Sequence, residues 1–345
     1  MFTASPAVKV RHESPFVRLS SHLRHRPHRR QRRDGRAGPP LAPAIAQGQP
    51  DRPVRLVIPY PPGGGTDITA RAIAVRLGEA LQQPVVLENR PGATGMIGAA
   101  HVARSSPDGQ TVLFGAASEM AINASLYRKM AYDPRTDLEP ASLIAVFPLV
   151  LVSSAGPRLS LRVVLDRART HPGTVTYGSI GAGSPQHLAG ELLAAMAKVS
   201  LVHVPYKGSG PLVQDAVGGH VDVAISSVPP AVPLVAAGRL QALAVTSSRR
   251  ASALPDVPTV AELGYPAFDF STWVAAALPR DAPSAMINRF NRAFVAALSY
   301  PEVKATLVKQ GAEPVGSSPD QLRGFIRGQI ERTDSIVART GLQLD

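Results

Sequence analysis

The hydrophobic pattern of the chain after residue 52 alternates between short apolar runs and longer helical segments. Val54–Ile58, Val85–Glu88 and Thr111–Gly115 are predicted strands with apolar residues on both faces. Such runs are typical of parallel strands that are covered on both sides. The segments between them, Asp67–Leu81 and Gly95–Arg104, are predicted helices. This alternation predicts an α/β fold with open, mostly parallel sheets.

A second alternating set follows, and three helices complete the chain. The predicted elements of the second set are Leu161–Thr170, Val175–Gly178, Gln186–Ala197, Leu201–Pro205, Gly210–Val217, Val221–Ser226, Ala231–Ala237 and Leu240–Thr246. Residues 254–264 are punctuated by prolines and predict a connection with a short helix. The final helices are predicted at Ser284–Leu298, Pro301–Lys309 and Pro319–Ala338.

Two long extended segments separate these sets. Ser142–Val152 contains Pro148, which argues against a regular central strand, and Phe270–Leu278 is a second long apolar run. Two such segments around an inserted α/β unit predict two lobes joined by paired hinge crossings. The predicted first lobe comprises residues 51–147 plus 274–345, and the second lobe comprises residues 148–273.

The loop from Pro59 to Asp67 carries the first candidate chemistry. It follows an apolar strand, contains Gly63, Gly64 and Gly65 in succession, and leads into a helix. Glycines allow positive φ and close approach to the backbone, and the N–H groups at a helix start favour anions. We expect Thr66 or Asp67 to cap this helix. The pattern is typical of a carboxylate or phosphate site, or of a turn that packs closely against a strand.

The loop from Tyr177 to Pro185 has the same strand-to-helix position. Ser184 is a predicted N-cap and Pro185 the first helical residue. The hydroxyl groups of Ser179 and Ser184, with the amides of Gly181 to Gly183, make a second candidate anion site; the alternative is a capped loop with a purely structural role. The third glycine of a dinucleotide fingerprint is absent here, and the first loop lacks the Gly-Lys-Ser/Thr of a P-loop. These absences favour carboxylates over phosphates.

Other chemistry is poorly represented. The chain has no cysteine, which excludes thiol catalysis and disulfides. His187 and Glu191 lie four residues apart on one predicted helix, but a third metal ligand is not evident, so a local hydrogen bond is the preferred interpretation. His203 is interpreted as a core residue. Because the Gly-x-Ser-x-Gly motif is also absent, we expect neither an enzyme nor a bound cofactor or metal.

The order and spacing of several motifs resemble one known family. These motifs are Pro59–Asp67, Val85–Ala93, Gly95–Ala100, Pro107–Leu113, Gly181–Leu188 and Val204–Gly210. The series resembles the Bug family, the periplasmic substrate-binding proteins of tripartite tricarboxylate transporters, over roughly residues 52–345.

The resemblance implies a two-lobed periplasmic binding protein of type II (the Venus-flytrap architecture), which closes on a small organic carboxylate. It implies membrane permease subunits as partners, a periplasmic location, a monomer and no nucleic acid. The alternative is an orphan receptor that presents its ligand-bound form to a sensor kinase.

Within that framework the resemblance assigns an aromatic flank to Tyr60 and a contacting hydroxyl group to Ser118. The full candidate ligand-binding set is Tyr60, Gly63, Gly64, Gly65, Thr66, Asp67, Ser118, Ser179, Gly181, Gly183, Ser184, Tyr206 and Ser226. Lys207 is assigned to the rim or, alternatively, to a structural or interlobe ion pair, and Asp222 is expected to tie loops together. Glu119 stands where the family often carries another polar residue, and its carboxylate could repel an acidic ligand.

Charge changes this interpretation only for the N-terminal segment. The net charge is +12, but residues 1–50 carry ten Lys/Arg against two acidic residues. This segment lacks hydrophobic periodicity and is expected to be a disordered basic tail. Ala44-Ile45-Ala46 has the form of a signal-peptidase site without the apolar stretch before it, which suggests a degraded or mis-started export signal. Aromatic residues do not interleave the arginines, so nucleic-acid binding is not favoured.

Overall fold

The computed structural model describes residues 52–156 and 159–344. The predicted basic tail and export-signal remnant therefore lie outside the described residues. Strand–helix alternation is present in both predicted sets, with parallel pairing of β-strands inside each set. The strands are β1 (Val54–Ile58), β2 (Val85–Asn89), β3 (Thr111–Ala116), β4 (Leu138–Ser154), β5 (Val175–Ser179), β6 (Leu201–Pro205), β7 (Val223–Ser227), β8 (Leu240–Val245), β9 (Ser271–Pro279) and β10 (Glu313–Pro314).

Helices cover the faces of the sheets, as parallel strands require. They are α1 (Gly65–Leu81), α2 (Met96–Ala103), α3 (Asn123–Leu126), α4 (Leu161–Thr170), α5 (Pro185–Ala197), α6 (Ser209–Gly218), α7 (Val228–Ala236), α8 (Ser284–Ser299), α9 (Pro301–Lys309) and α10 (Pro319–Thr340). Local sequence specifies several starts. The Ser160 side chain accepts a hydrogen bond from the Val163 N–H at the start of α4, and Ser318 and Gln321 form a capping box on α10.

The strand order is β2-β1-β3-β9-β4-β7-β5-β6, with β8 and β10 also paired to β4. The 17-residue strand β4 changes partners near its middle. It pairs with β9 from Leu138 to Pro148, and with β7 and β8 from Leu149 onward. The first lobe is therefore built on β2-β1-β3-β9-β4, and the second on β4-β7-β5-β6.

Both predicted hinge crossings fall on these long strands. Ser142–Val152 lies inside β4, and Phe270–Leu278 overlaps β9. The two strands run antiparallel beside each other, with Pro148 opposite Ser271 at the end of their ladder. The lobe boundaries assigned from the sequence stay a prediction, while the paired crossings themselves are present.

The core packs against both faces of the first sheet. On one face, α1 and α8 contribute Ile73, Phe290 and Phe294. On the other, Trp273 of β9 is fully buried, and its ring lies 5.3 Å from that of Phe325 on α10. One face of α10, with Leu322, Ile326 and Ile330, is thus buried, and the helix also packs against α5 of the second lobe.

Two local details differ from the sequence-based expectation. The short helix predicted within residues 254–264 is wrong, because this segment forms turns. A π-helical turn at Ser118–Ile122, followed by α3, was not predicted.

Within the part of the chain that the structure describes, the search for a helix long and apolar enough to cross a membrane found none.

Candidate functional site

A cavity lies where the two lobes meet, beside the paired crossings. Its lining residues come from the ends of strands, the first residues of helices and the two crossing strands. They are Tyr60, Pro61, Gly64, Gly65, Thr66, Ala116, Phe147, Ile180, Pro185, Gln186, Gly208, Ser209, Ser227 and Thr272. The cavity volume is about 30 Å³. Because ligand pockets usually measure about 300–1,000 Å³, the two lobes are closed on each other here.

Four helices begin at this cavity. α1 starts at Gly65, α5 at Pro185 and α6 at Ser209, while Ser227 directly precedes α7. The first N–H groups of a helix have no partner inside the helix and form its positive end. Helix starts from both lobes therefore direct partial positive charge toward the same small volume. Among the described residues that line it, none is lysine or arginine.

Asp67 braces the glycine loop from behind. Its Oδ2 accepts a hydrogen bond from the Gly63 N–H at 2.9 Å, and its Oδ1 accepts one from Asn89 Nδ2 at 3.0 Å. Burial raises the pKa of Asp67, but the hydrogen bonds from Arg71, Gly63 and Asn89 outweigh this and hold the pKa below its ordinary value. Asp67 is thus ionised, and its carboxylate holds the conformation of the glycine loop through these hydrogen bonds.

The predicted side-chain cap of α1 is wrong. Gly64 occupies the N-cap position without a capping side chain, while Thr66 and Asp67 lie inside the helix. The glycine loop bends back through Gly63, whose φ is +82°, and Asp67 satisfies the Gly63 N–H from the first turn. A residue without a side chain at the N-cap leaves the helix start open toward the cavity.

Glycine is required where the lobes approach each other. A Cβ atom at Gly65 would lie 2.8 Å from Ser227 Oγ, which is shorter than real Cβ contacts. A Cβ at Gly208 would lie 3.2 Å from Pro61 Cγ. At the cavity, the backbone of each lobe therefore comes into close contact with a side chain of the other lobe.

The serines of the second predicted anion site are used inside their own loop. Ser184 Oγ donates to the Gly181 carbonyl at 2.7 Å and accepts from the His187 N–H at 3.2 Å, so its predicted capping role is present. Ser179 Oγ accepts from the Gly181 N–H at 3.1 Å and lies 2.6 Å from His203 Nε2. These bonds hold the loop so that Ile180, rather than its neighbours, lines the cavity.

Four of the thirteen residues in the candidate set line the cavity: Tyr60, Gly64, Gly65 and Thr66. The other nine lie behind or beside it: Gly63, Asp67, Ser118, Ser179, Gly181, Gly183, Ser184, Tyr206 and Ser226. Ser118 and Ser226 are fully buried, and Ser226 Oγ donates to the Ser227 carbonyl at 3.0 Å. Contact of these nine with a ligand stays a prediction.

The candidate set selected from the sequence omits ten lining residues: Pro61, Ala116, Phe147, Ile180, Pro185, Gln186, Gly208, Ser209, Ser227 and Thr272. Several adjoin residues that were selected, and Phe147 and Thr272 belong to the crossing strands. Gln186 had no local signal. It is buried in the first turn of α5, and its Oε1 has no hydrogen-bond partner within the described residues.

Glu119 lies beneath the cavity and does not project into it. It is fully buried, its Oε2 accepts a hydrogen bond from the Tyr60 hydroxyl at 2.7 Å, and its Oε1 accepts one from the Ala116 N–H at 2.5 Å. Burial raises the pKa of Glu119 to about 7, although both hydrogen bonds favour the ionised form. The carboxyl group that the sequence suggested could repel an acidic ligand is therefore a buried group with a raised pKa, and it lies outside the cavity lining.

The two histidines considered from the sequence form a stack in the second lobe. His187 and His203 have ring centroids 3.8 Å apart, and His187 Nδ1 accepts a hydrogen bond from the Gly183 N–H at 3.0 Å. Burial lowers the pKa of both imidazoles to about 4. His187 Nε2 lies 3.8 Å from Glu191 Oε1. Over residues 52–156 and 159–344, a search for three metal-binding side chains in one place found none.

The two charged residues assigned to peripheral roles also have defined positions. Asp222 accepts hydrogen bonds from the Thr176 N–H at 2.8 Å and the Thr176 hydroxyl at 2.9 Å, and it pairs with Arg167. It therefore joins the segment before β7 to strand β5 and helix α4, and not two loops as predicted. Lys207 is exposed, next to the lining residue Gly208.

Comparison with known proteins places this geometry in a family. The family model described as "Tripartite tricarboxylate transporter family receptor" matches residues 69–342. The chain belongs to this family. The Bug resemblance predicted from the motifs is thereby confirmed.

Individual relatives agree with the family assignment. The chain is 40% identical to Protein BugT of Bordetella pertussis over 305 residues, which covers 88% of this chain and 94% of BugT. It superimposes on a structure of R. palustris Rpa4515 with adipate at a TM-score of 0.82, with 36% identity and coverage of 85% of this chain and 99% of that one. For MatC from Rhodopseudomonas palustris with bound malate, the TM-score is 0.79 and the identity 31%, over 84% of this chain and 100% of MatC.

Family membership determines the class of protein. Its structural relatives are periplasmic binding proteins, which agrees with the two-lobed α/β architecture predicted from the sequence. As a member of this receptor family, the chain is a solute-binding protein and not an enzyme.

Proposed function

We propose that this protein captures a small organic carboxylate between its lobes in the periplasm and delivers it to membrane permease subunits of a tripartite tricarboxylate-type transporter. The observation that carries the proposal is the convergence of the first turns of α1, α5 and α6 on one cavity. Helix starts bind anions through N–H groups and the helix dipole. The solved relatives with adipate and malate support a carboxylate as that anion.

The mode of binding follows from the lining. Hydroxyl groups of Thr66, Ser209 and Ser227 and the first-turn amides offer donors without a fixed positive charge. A carboxylate accepts several such hydrogen bonds, and each contributes about 0.5–3 kcal/mol. The ligand is therefore held by many short polar contacts, contributed by both lobes.

Closure of the lobes is part of this function. A cavity of about 30 Å³ admits a dicarboxylate only after the loops of the two lobes move apart. The paired strands β4 and β9 are the described connections about which such a motion can occur. A ligand that touches both lobes then favours the closed form by its differential affinity.

The test begins with the purified full chain. Native mass spectrometry should detect an acidic small molecule that leaves on denaturation. After its removal, isothermal titration with adipate, malate and the neutral analogue adipamide should give binding for at least one dianion and none for the diamide. Equal binding of adipate and adipamide would contradict a carboxylate site.

Matched variants locate the contacts. Ser209→Ala and Thr66→Val each remove a lining hydroxyl group and should weaken carboxylate binding about three- to tenfold, the effect of about 1 kcal/mol. Lys207→Ala removes an exposed rim cation and should change affinity less than twofold. The reverse ranking would mean that a charged rim, and not the helix starts, holds the ligand.

Delivery to a permease needs its own experiment. Reconstitution of the loaded protein with the membrane subunits of a tripartite tricarboxylate-type transporter from the same organism should produce ligand uptake. A neighbouring sensor kinase that responds to the loaded protein, without uptake, would instead support a receptor function.

A further inference from the structure

Glu119 occupies an unusual position relative to the cavity. Both of its carboxyl oxygens accept hydrogen bonds from residues that line the cavity, since Tyr60 donates to Oε2 and the Ala116 N–H donates to Oε1. The side chain itself is fully buried, and it belongs to the π-helical turn Ser118–Ile122. Such turns are frequent at functional sites. A titratable group thus lies one hydrogen bond away from the ligand site.

The surroundings of this carboxyl group hold no compensating charge within the described residues. Tyr60 donates to the carboxyl group, and Tyr132 donates to the Glu119 backbone carbonyl at 2.6 Å. The neighbouring elements α2, α3, α10 and the turn Ala93–Gly95 add no further ionisable group that acts on it. Glycines border the carboxyl group on two sides. A Cβ added at Gly95 would lie 2.6 Å from one carboxyl oxygen, and a Cβ added at Gly115 would lie 2.8 Å from the other.

A bound anion and an ionised Glu119 would repel each other in this small volume. An anion at the helix starts would face an ionised Glu119 across Tyr60 and Ala116, in an environment with little water to screen them. Glu119 can escape this repulsion by taking a proton. Oε1 must continue to accept from the Ala116 N–H, so the proton goes to Oε2, which can then donate to the Tyr60 oxygen.

We propose that Glu119 takes up one proton from solvent when a carboxylate binds, so that the protein captures its ligand together with a proton. This inference rests on the proposed function. The Tyr60 hydroxyl, no longer needed by Glu119, can donate its own hydrogen to another acceptor. Burial already raises the pKa of Glu119 to about 7 before any ligand arrives. Ligand binding therefore weakens as pH rises above neutrality.

The chain offers a matched control for this carboxyl group. Glu191 Oε1 also accepts a hydrogen bond from a buried tyrosine, Tyr177, at 2.5 Å. It lies on α5 away from the lining residues. Glu119→Gln keeps the shape of the neutral acid, because its carbonyl oxygen can accept from Ala116 and its amide can donate to Tyr60. Glu191→Gln makes the same chemical change at the control position.

The experiment measures proton uptake directly. Isothermal titration with adipate and with malate at pH 8, in phosphate and in Tris, should give binding enthalpies that differ between the buffers and correspond to uptake of about one proton. Affinity should fall toward tenfold per pH unit above pH 8. Glu119→Gln should abolish both effects and bind more tightly than the wild type at pH 8, while Glu191→Gln should keep both.

Two results would overturn the inference. Buffer-independent enthalpies in a wild-type protein that binds its ligand would exclude linked protonation while leaving the proposed function intact, and uptake that persists in Glu119→Gln would assign the proton elsewhere. If neither probe binds, the proposed function fails for these ligands, and the inference that rests on it fails with it. For a probe that binds, infrared difference spectra of the loaded protein at pH 8, wild type minus Glu119→Gln, should show a protonated carboxyl band. The absence of this band would contradict the inference.

Discussion

A side chain at Gly65 would collide with Ser227, which is 162 positions later in the sequence. The added Cβ would lie 2.8 Å from Ser227 Oγ and 3.3 Å from Ser227 Cβ. Gly65 opens α1 in the first lobe, and Ser227 ends β7 in the second. The closed cavity therefore depends on the absence of a single methyl group at this position.

Gly65→Ala should weaken ligand binding at least tenfold without unfolding the protein. Alanine favours the helix that starts at this position, so the first lobe itself should be stable. The methyl group instead opposes closure of the second lobe onto the first. Isothermal titration measures the affinity, and small-angle scattering with saturating ligand should show a larger radius of gyration than for the wild type.

Gly210→Ala is the control for this substitution. Its Cβ would meet nothing within 4 Å, and Gly210 lies in the first turn of α6 but does not line the cavity. Affinity should then change less than threefold. Combining Gly65→Ala with Ser227→Gly removes the colliding hydroxyl group and should restore part of the closure. If the double variant were no more compact than Gly65→Ala, the collision with Ser227 would not be the cause of the weaker binding.

A single hydrogen bond between the lobes should govern the lifetime of the complex. Thr94 Oγ1 donates to the Ala182 carbonyl at 2.7 Å, which joins the turn before α2 to the loop before α5. Thr94→Ala should remove about 1 kcal/mol from the closed form and raise the ligand dissociation rate about fivefold. Stopped-flow displacement measures this rate. Thr94→Ser keeps the hydroxyl group, and its ligand should dissociate at the wild-type rate. If both variants released the ligand equally faster, this hydrogen bond would not be what slows dissociation.

The buried Glu119 should make the folded protein less stable as pH rises. Its pKa is about 7 in the folded state and near 4.5 when exposed, so the unfolded chain loses the proton first. The contribution of Glu119 is fully present below pH 4.5 and is lost between pH 4.5 and about 7, by about 3 kcal/mol. Urea denaturation of wild type and Glu119→Gln should show the variant gaining relative stability across this window. A constant difference would contradict the raised pKa.

The stacked histidines should act in the opposite direction. Burial lowers the pKa of His187 and His203 from 6.5 to about 4, so the unfolded state binds protons first as pH falls. Stability is fully present above pH 6.5 and is lost toward pH 4, by at most about 3 kcal/mol for His187 and by less for His203, which solvent partly screens. His203→Gln can keep the bond to Ser179 and should flatten this acid loss in urea titrations. His220→Gln, at an exposed side chain, controls for the removal of a histidine.

Local sequence determined the elements and their order. Val54–Ile58, Leu161–Thr170 and Leu201–Pro205 were predicted with the bounds that the structure has. Apolar runs, caps and glycines act over a few residues, and their periodicity is legible in one chain. The Gly63–Gly65 loop and the two crossings were found for the same reason, and with them the α/β class.

Tertiary structure decided which side chains reach the cavity. Ser184 and Ser179 look like ligand contacts in sequence, yet their hydrogen bonds close their own loop, while Gln186 lines the site without any local signal. The charge of Glu119 was also unreadable, because its pKa depends on burial beneath Tyr60, 59 positions away. Burial and contacts between the lobes depend on residues that are distant in sequence, so a local sequence pattern cannot predict them.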